Sequence, residues 1–370
     1  MTQAAVAVIS ATALRHNLRR VRELAPGCPV LAIIKADAYG HGLVAVARAL
    51  DGADAFAVAR LQEAVQLREA GISRRIVVLG GFIGNEELLE AIHHGLEVVI
   101  HDLEQVRALE AAPSGSDAWL KIDTGMGRLG IAPAVLPEVL ARLRSRPAKT
   151  AVRLMTHLAA ADDPASEQTA GQLAAFEAAT REARGLGWAG DVSMANSAGI
   201  LGGLATRSGG ILPTGCHNWV RPGLMLYGAS PLPDRTAASL GLLPAMSFQS
   251  RLLAVRRLPR GSHVGYGGDW QAARDSVVGV AAAGYADGYP WHSSRGTPVL
   301  VNGHAAPVIG RVSMDMISID LTEIAAARVG DPVTLWGSGL PVEEVARCAG
   351  TIPYELLAGL GPRVLRQVAG

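Results

Sequence analysis

The chain has 370 residues, 49% hydrophobic and 18% charged, with 43 glycines and a formal net charge of +1. That length exceeds one ordinary domain unless the domain is a large α/β barrel, and the near-zero charge offers no electrostatic footprint for nucleic acid or an anionic membrane. Three widely separated cysteines, Cys28, Cys216 and Cys348, form no CxxC pair, which argues against a zinc or other metal site and suits a reducing cytoplasm.

The opening stretch "MTQAAVAVISATAL" is apolar and contains Ala11-Thr12-Ala13, yet no Lys or Arg precedes its apolar part. The expectation is therefore not a secretory leader but a strand at Val6–Ile9, then a helix carrying Leu14, Leu18 and Val21. Nowhere is there a run of about 20 apolar residues, so no membrane span is expected.

Apolar, β-branched runs then recur at 30–35, 54–59, 75–80, 96–100, 117–123, 151–157, 191–195 and 219–221. Stretches of helical period separate them, among them "LVAVARAL" (43–50), "LQEAVQLREAG" (61–71), "NEELLEAIHHG" (85–95) and "EQTAGQLAAFEAATREARGLG" (167–187). Continuous apolar strands alternating with helices imply a parallel sheet covered on its outer face. Eight such units predict an N-terminal (β/α)8 TIM barrel. An open doubly wound sheet is the weaker alternative, since no GxGxxG follows the first of these strands.

Beyond "PLPDR" (231–235) the texture changes to alternating runs such as "SFQSRLLAVRRL", "DSVVGVAAAGYA" and "DPVTLWG", punctuated by Gly, Pro and Asn302-Gly303. This predicts a mostly β C-terminal domain closed by a short helix at 342–350. The expected division is a barrel over residues 1–232, its first strand free to pair with the second domain, and a β domain over 233–370.

Barrel active sites lie at the C-terminal ends of the strands. The predicted strands end near Lys35, Arg60, Gly80, His101, Asp123, His157, Asn196 and Arg221, so these groups are expected to converge. Lys35 comes first. A lysine at a strand end is commonly a snorkelling surface group, but in an apolar setting desolvation lowers the amine's pKa and favours the nucleophilic form that a Schiff base requires. The lysine alone leaves both readings open.

Eight motifs in register decide between them: "IIKADAYGHG", "KIDTGMGRLG", "MANSAGIL", "VRPGLMLYG", "VGYGGDW", "GYADGYP", "GRVSMDM" and "IPYELL". Together they closely resemble the alanine racemase family, pyridoxal-phosphate enzymes with an N-terminal barrel and a C-terminal β domain. The resemblance covers essentially the whole chain. It implies that Lys35 carries the cofactor and that Tyr39, Asn196, Ser197, Gly223, Leu224 and Tyr354 surround its phosphate, where hydroxyls, backbone N–H groups and helix N-termini can hold a dianion.

The resemblance further implies that Arg221 faces the pyridine nitrogen. An arginine stays protonated, so the ring nitrogen there would remain unprotonated and the cofactor would be a weaker electron sink. Fold-related decarboxylases place a carboxylate at this point, which disfavours that activity here. Racemisation needs proton transfer on both faces of one carbon: Lys35 matches the base of one face, Tyr266 that of the other, and His157 the tyrosine's partner. An ordinary tyrosine titrates near pH 10, so it needs such help.

Because Lys35 and Tyr266 fall in different domains, the resemblance implies a head-to-tail homodimer whose second copy supplies Tyr266, with Met314, Asp315 and Tyr285 around the substrate and its entrance. Arg128 matches an arginine near the cofactor's phenolic oxygen and the substrate carboxylate, and Lys121 a lysine that is often carbamylated. The implied activity is interconversion of L- and D-alanine, supplying or degrading D-alanine for peptidoglycan. A serine or broad-specificity racemase is the nearest alternative, because pockets discriminate weakly against one added hydroxyl, by about 10². A non-catalytic pyridoxal-phosphate carrier would lack the domain that holds Tyr266, Tyr285 and Tyr354. Ser10 stands where the family commonly has an acidic residue, though Ser also caps helices, and Cys216 and His217 in "GGILPTGCHNWVRPG" have no family role and read as structural.

Overall fold

The computed structural model describes residues 5–112, 116–145, 151–163, 165–206, 215–293 and 295–370. Residues 1–4 of the N-terminal stretch, and residues 209–214 ahead of Cys216, lie outside the described residues.

The first strand, β1 (Val6–Ser10), is followed by a helix at Ala11–Leu24 that Ser10 caps by accepting from Ala13 N at 3.1 Å. The next eight strands are β2 (Leu31–Ile33), β3 (Ala55–Val58), β4 (Arg75–Val78), β5 (Glu97–Ile100), β6 (Ala118–Lys121), β7 (Val152–Met155), β8 (Val192–Asn196) and β9 (Asn218–Arg221). They pair in that order, each parallel to the next. A parallel bridge between Val30 and Val220 closes β9 onto β2, and Val220 N and Ile33 N donate to Pro29 O and Pro222 O at 2.9 Å each. Every residue of β2, β3, β5 and β9 is buried. With both faces covered, the sequence signal is an unbroken apolar run rather than alternation.

Two buried charges interrupt that rule in these strands, Glu97 in β5 and Arg221 in β9. Glu97, at the N-terminal end of β5, accepts from Arg75 Nε at 2.6 Å and Trp119 Nε1 at 2.8 Å, with Arg153 Nη1 at 3.4 Å. This ion cluster closes the barrel floor, the face that in such barrels serves stability rather than chemistry.

The remaining strands are β10 (Met246–Leu258), β11 (His263–Val264), β12 (Trp270–Gln271), β13 (Ser276–Ala281), β14 (Pro298–Val301), β15 (His304–Ile309), β16 (Ile317–Asp320), β17 (Pro332–Trp336) and β18 (Leu365–Ala369). Apart from the small β11–β12 ribbon they form one mostly antiparallel sheet that also takes in β1. The β14–β15 hairpin turns at Asn302 (φ 51°) and Gly303 (φ 81°), the paired positive φ of a type I′ turn.

The short helix at Val342–Cys348 does not close the chain, contrary to the sequence expectation. A second helix follows at Pro353–Ala358, and β18 then runs parallel to β1, from Val6 opposite Leu365 to Ser10 opposite Ala369. β18 escaped detection because it is a largely exposed edge strand with no apolar face to signal it. Its pairing nonetheless carries the chain's last residues back to the barrel's first helix. No described helix is long and apolar enough to cross a membrane.

Candidate active site

At the C-terminal end of the barrel lies a cavity of about 520 Å3. Lys35, Tyr39, Lys121, Arg128, His157 and Arg221 line it, together with Asn196, Ser197, Gly223, Leu224 and Tyr354. Eleven residues singled out in the sequence thus share one space. Of the predicted strand-end groups, Gly80 also lines it, whereas Arg60, His101 and Asp123 do not.

Lys35 leaves β2 into a turn of unusual hand. Ala36, Asp37, Ala38 and Tyr39 have φ of 55°, 52°, 54° and 52°, a left-handed helical turn that costs L-residues about 1–2 kcal/mol each. Such strain persists only where the surroundings over-determine it. Glu63 Oε1 accepts from Ala36 N at 2.6 Å and Asp37 Oδ1 from Leu43 N at 2.7 Å. His41 Nδ1 lies 2.7 Å from Tyr39 O, and Gly40 O accepts from Arg366 Nε at 2.8 Å. Gly40 itself (φ 75°) has no alternative, since a Cβ would lie 2.0 Å from Leu357 O. Residues four apart on a helix share a face, and Lys35 and Tyr39 both meet the cavity.

Behind the turn, the Tyr227 ring stacks on Tyr39 at 4.6 Å and meets His41 tilted at 4.5 Å, and its hydroxyl donates to Ile33 O at 2.9 Å. Burial pushes the His41 pKa down to about 4, so the ring is neutral.

Opposite, Arg221 at the end of β9 is buried. Its partners are neutral: Ser193 Oγ at 2.7 Å, Thr156 O at 2.5 Å, Met194 O at 3.3 Å and His157 Nδ1 at 3.4 Å. Burial lowers its pKa to about 10, which leaves it charged at neutral pH. His157 is driven to about 3, by burial first and then by Arg221, Lys121, Arg128 and Lys35. Because a guanidinium only donates, His157 Nδ1 accepts and the ring's proton sits on Nε2.

Lys121, at the end of β6, falls to about 8 through burial and the charges of Arg221, Arg128 and Lys35, with Asp123 pulling the other way. Lys35 is lowered by burial and by Arg128, against a smaller opposing effect of Glu63. Asp123 works on the backbone: its carboxylate accepts from Gly125 N, Met126 N and Gly127 N at 2.9–3.1 Å and so shapes the loop that carries Arg128. Asn196 caps the short helix at Ser197–Leu201 by accepting from Gly199 N at 3.0 Å, and Ser197 Oγ accepts from Gly223 N at 2.9 Å and Met225 N at 3.3 Å.

This donor set fits a phosphate-bearing aldehyde. Four cationic side chains surround one cavity, and their charges help to lower the pKa values of Lys35 and Lys121, a field that an anionic ligand relieves. One margin holds the hydroxyls of Tyr39, Ser197 and Tyr354. A Cβ at Gly223 would lie 2.5 Å from the Tyr39 hydroxyl, so only glycine leaves that margin open.

Four predicted residues are not brought together with the rest within one chain. Tyr266, Tyr285 and Met314 do not line the cavity and are 71%, 42% and 53% exposed, and Asp315 pairs with Arg363 at 2.7 Å. Conversely, sequence reasoning missed Glu63, Tyr227, Ser193, Thr156 and Arg366. Tyr227 stood in the quoted "VRPGLMLYG"; the others act through backbone atoms or through Arg221 and carry no local signal. His217 N and Trp219 Nε1 both donate to Asp191 at 2.9 Å, a bond pattern on the barrel floor.

Residues 9–231 match the family model described as alanine racemase, N-terminal domain, and residues 245–368 the one described as alanine racemase, C-terminal domain. Alanine racemases of Nitrosococcus oceani and Nitrosomonas europaea are each 50% identical to this chain, over 364 and 361 residues; the matches cover 97% of it and 98% and 96% of the relatives. A biosynthetic alanine racemase from Pseudomonas aeruginosa superposes with a TM-score of 0.91 at 43% identity over 100% of both chains. One from Bartonella henselae, solved with covalently bound pyridoxal phosphate, does so with a TM-score of 0.85 at 29% identity over 99% of both.

Proposed function

The chain belongs to the alanine racemase family and is an isomerase that racemises alanine with pyridoxal phosphate; we propose that Lys35 and Tyr266 carry its two proton transfers. The observation that carries this reading is the half-buried lysine whose pKa is lowered, in a cavity with Arg221 and His157 that is ringed by cations and hydroxyls.

Lys35 would hold the cofactor through its amine. Tyr39, Ser197, Tyr354 and the backbone N–H groups of Gly223 and Leu224 would receive its phosphate, with Asn196 fixing the helix at Ser197–Leu201. When bound, pyridoxal phosphate supplies a sink for the electrons left on the amino acid's α-carbon after proton loss. Arg221, always a donor, would lie on the side of the ring nitrogen in this reading and would weaken that sink, which would favour return of the proton over side reactions. Arg128 orients the substrate carboxylate. Lys121 would carry a carbamate in this reading, since lowering its pKa to about 8 raises the share of the neutral, nucleophilic amine at physiological pH.

Freed by substrate, the Lys35 amine takes or gives the proton on one face. On the other face Tyr266, from a second copy of the chain, does the same, and the His157 Nε2–H stabilises its phenolate. Each such group is worth about 10²–10⁴ in rate. This assigns cofactor binding to residues 1–232 together with Tyr354 of the same copy, and the outer tyrosine, with Tyr285, Met314 and Asp315 at the entrance, to residues 233–370 of the opposite copy. The homodimer, a cytoplasmic location and a role in D-alanine supply for peptidoglycan belong to the same reading. The test is borohydride reduction of the holoenzyme and peptide mapping: the pyridoxyl group is expected on Lys35, and its recovery on Lys121 or another lysine would overturn the assignment.

A further inference from the structure

Three of the bonds that hold the left-handed turn come from the barrel itself, through Glu63, Asp37 and His41. The fourth comes from the far end of the chain. Arg366, on β18, sends Nε to Gly40 O at 2.8 Å, Nη1 to Val364 O at 3.1 Å and Gly361 O at 3.4 Å, and Nη2 to Leu360 O at 3.2 Å, with Asp37 Oδ2 3.5 Å from Nε. The side chain is 21% exposed and does not line the cavity. Its guanidinium joins the 360–364 segment to the lysine turn as one body, a task for which a planar fork of donors suits and a single ammonium does not.

We propose that Arg366 is a positioning residue for the racemase reaction: by clamping Gly40 O it keeps residues 36–39 left-handed and so holds Lys35 and Tyr39 toward the cavity. The geometry makes the seating of the last strand on β1 a condition for a competent lysine. Without the clamp, the Gly40 carbonyl loses its partner and the turn loses the only one of these four bonds that reaches it from the second sheet. A residue that merely stabilised β18 would loosen the C-terminus and leave the turn alone. The proposal rests on the reading above that Lys35 carries the cofactor.

The test compares the holoenzyme with its Arg366→Met and Arg366→Lys variants. In Arg366→Met, hydrogen exchange of peptides covering 36–43 is expected to rise at least about tenfold while β4–β7 stay as in the parent. The cofactor dissociation constant should rise about tenfold or more, and kcat should fall similarly with KM changed less than about threefold, the pattern of misplaced chemistry rather than lost substrate binding. Arg366→Lys should fall between the two. Parent-like exchange at 36–43, or loosening confined to 360–369, overturns the proposal. If Arg366→Met does not fold, the same two exchange outcomes in Arg366→Lys decide it. Failure of the parent's Lys35 to carry the reduced pyridoxyl group would overturn the reading of function, while exchange at 36–43 still decides the clamp.

Discussion

Arg221 Nη2 lies 3.4 Å from His157 Nδ1 inside the barrel mouth, and its charge joins burial in keeping that imidazole neutral. The guanidinium remains charged and the imidazole remains neutral, with the histidine's pKa carried from 6.5 to about 3 by burial and neighbouring cations. As pH falls between those two values, the unfolded chain binds a proton that the folded chain refuses, so the folded state loses stability across that window and has the full contribution above it. The apoenzyme's thermal midpoint should therefore fall less steeply on acidification in His157→Gln than in the parent. Equal slopes in thermal unfolding between about pH 7 and pH 4 would contradict the neutral histidine.

Arg221 makes its bonds to Ser193, Thr156 and Met194 in a buried position. Arg221→Gln leaves at least one of those buried acceptors unmatched and should lower stability by about 1–3 kcal/mol, read by urea unfolding of the apoenzyme. The visible absorbance of the bound cofactor should also bleach faster during turnover than in the parent. Unchanged bleaching would contradict the account of Arg221 as a brake on side reactions.

Gly223 has φ of −121°, so no left-handed backbone demands a glycine here. What an added methyl meets is the Tyr39 hydroxyl, at 2.5 Å. Gly223→Ala should weaken cofactor binding about tenfold or more, equivalent to about 1.4 kcal/mol, with little change in apoenzyme stability. Fluorescence titration with pyridoxal phosphate measures it, and parent-like affinity would remove Gly223 from the binding margin.

Much of the barrel was legible because its strands are buried on both faces and announce themselves as apolar runs such as Leu31-Ala32-Ile33-Ile34. Lys35 and Arg221 were legible for a related reason, since each breaks such a run at a strand end. The left-handed turn after Lys35 was not: Ala36-Asp37-Ala38 carries no glycine to betray a positive φ, and its causes, Glu63 and Arg366, lie 27 and 326 residues from their partners in the turn. The pairing of β1 with β18 was hidden by the same long range. Resemblance supplied what periodicity could not, namely roles for Tyr266, Tyr285, Met314 and Asp315, which a single chain leaves on its surface.

Those four residues yield a test of the shared site. Lys35→Ala and Tyr266→Ala should each be nearly inactive alone, and Tyr266→Ala should suppress proton removal from one alanine enantiomer more than from the other. If each site draws Lys35 from one copy and Tyr266 from its mate, unfolding and refolding the two variants together leaves one intact site in every mixed dimer. Statistical pairing in a two-fold dimer then restores about a quarter of parental activity. Activity no greater than the sum of the two variants would contradict the shared site.

The most direct measurement incubates the purified holoenzyme with single-enantiomer alanine, serine, lysine and arginine in deuterium oxide, following chirality by chromatography and α-deuterium by mass spectrometry. The account predicts that either alanine enantiomer converts to the other with α-deuterium incorporated, far faster than the longer or charged amino acids. Retention of configuration in every amino acid, with the cofactor still bound to Lys35, would contradict it.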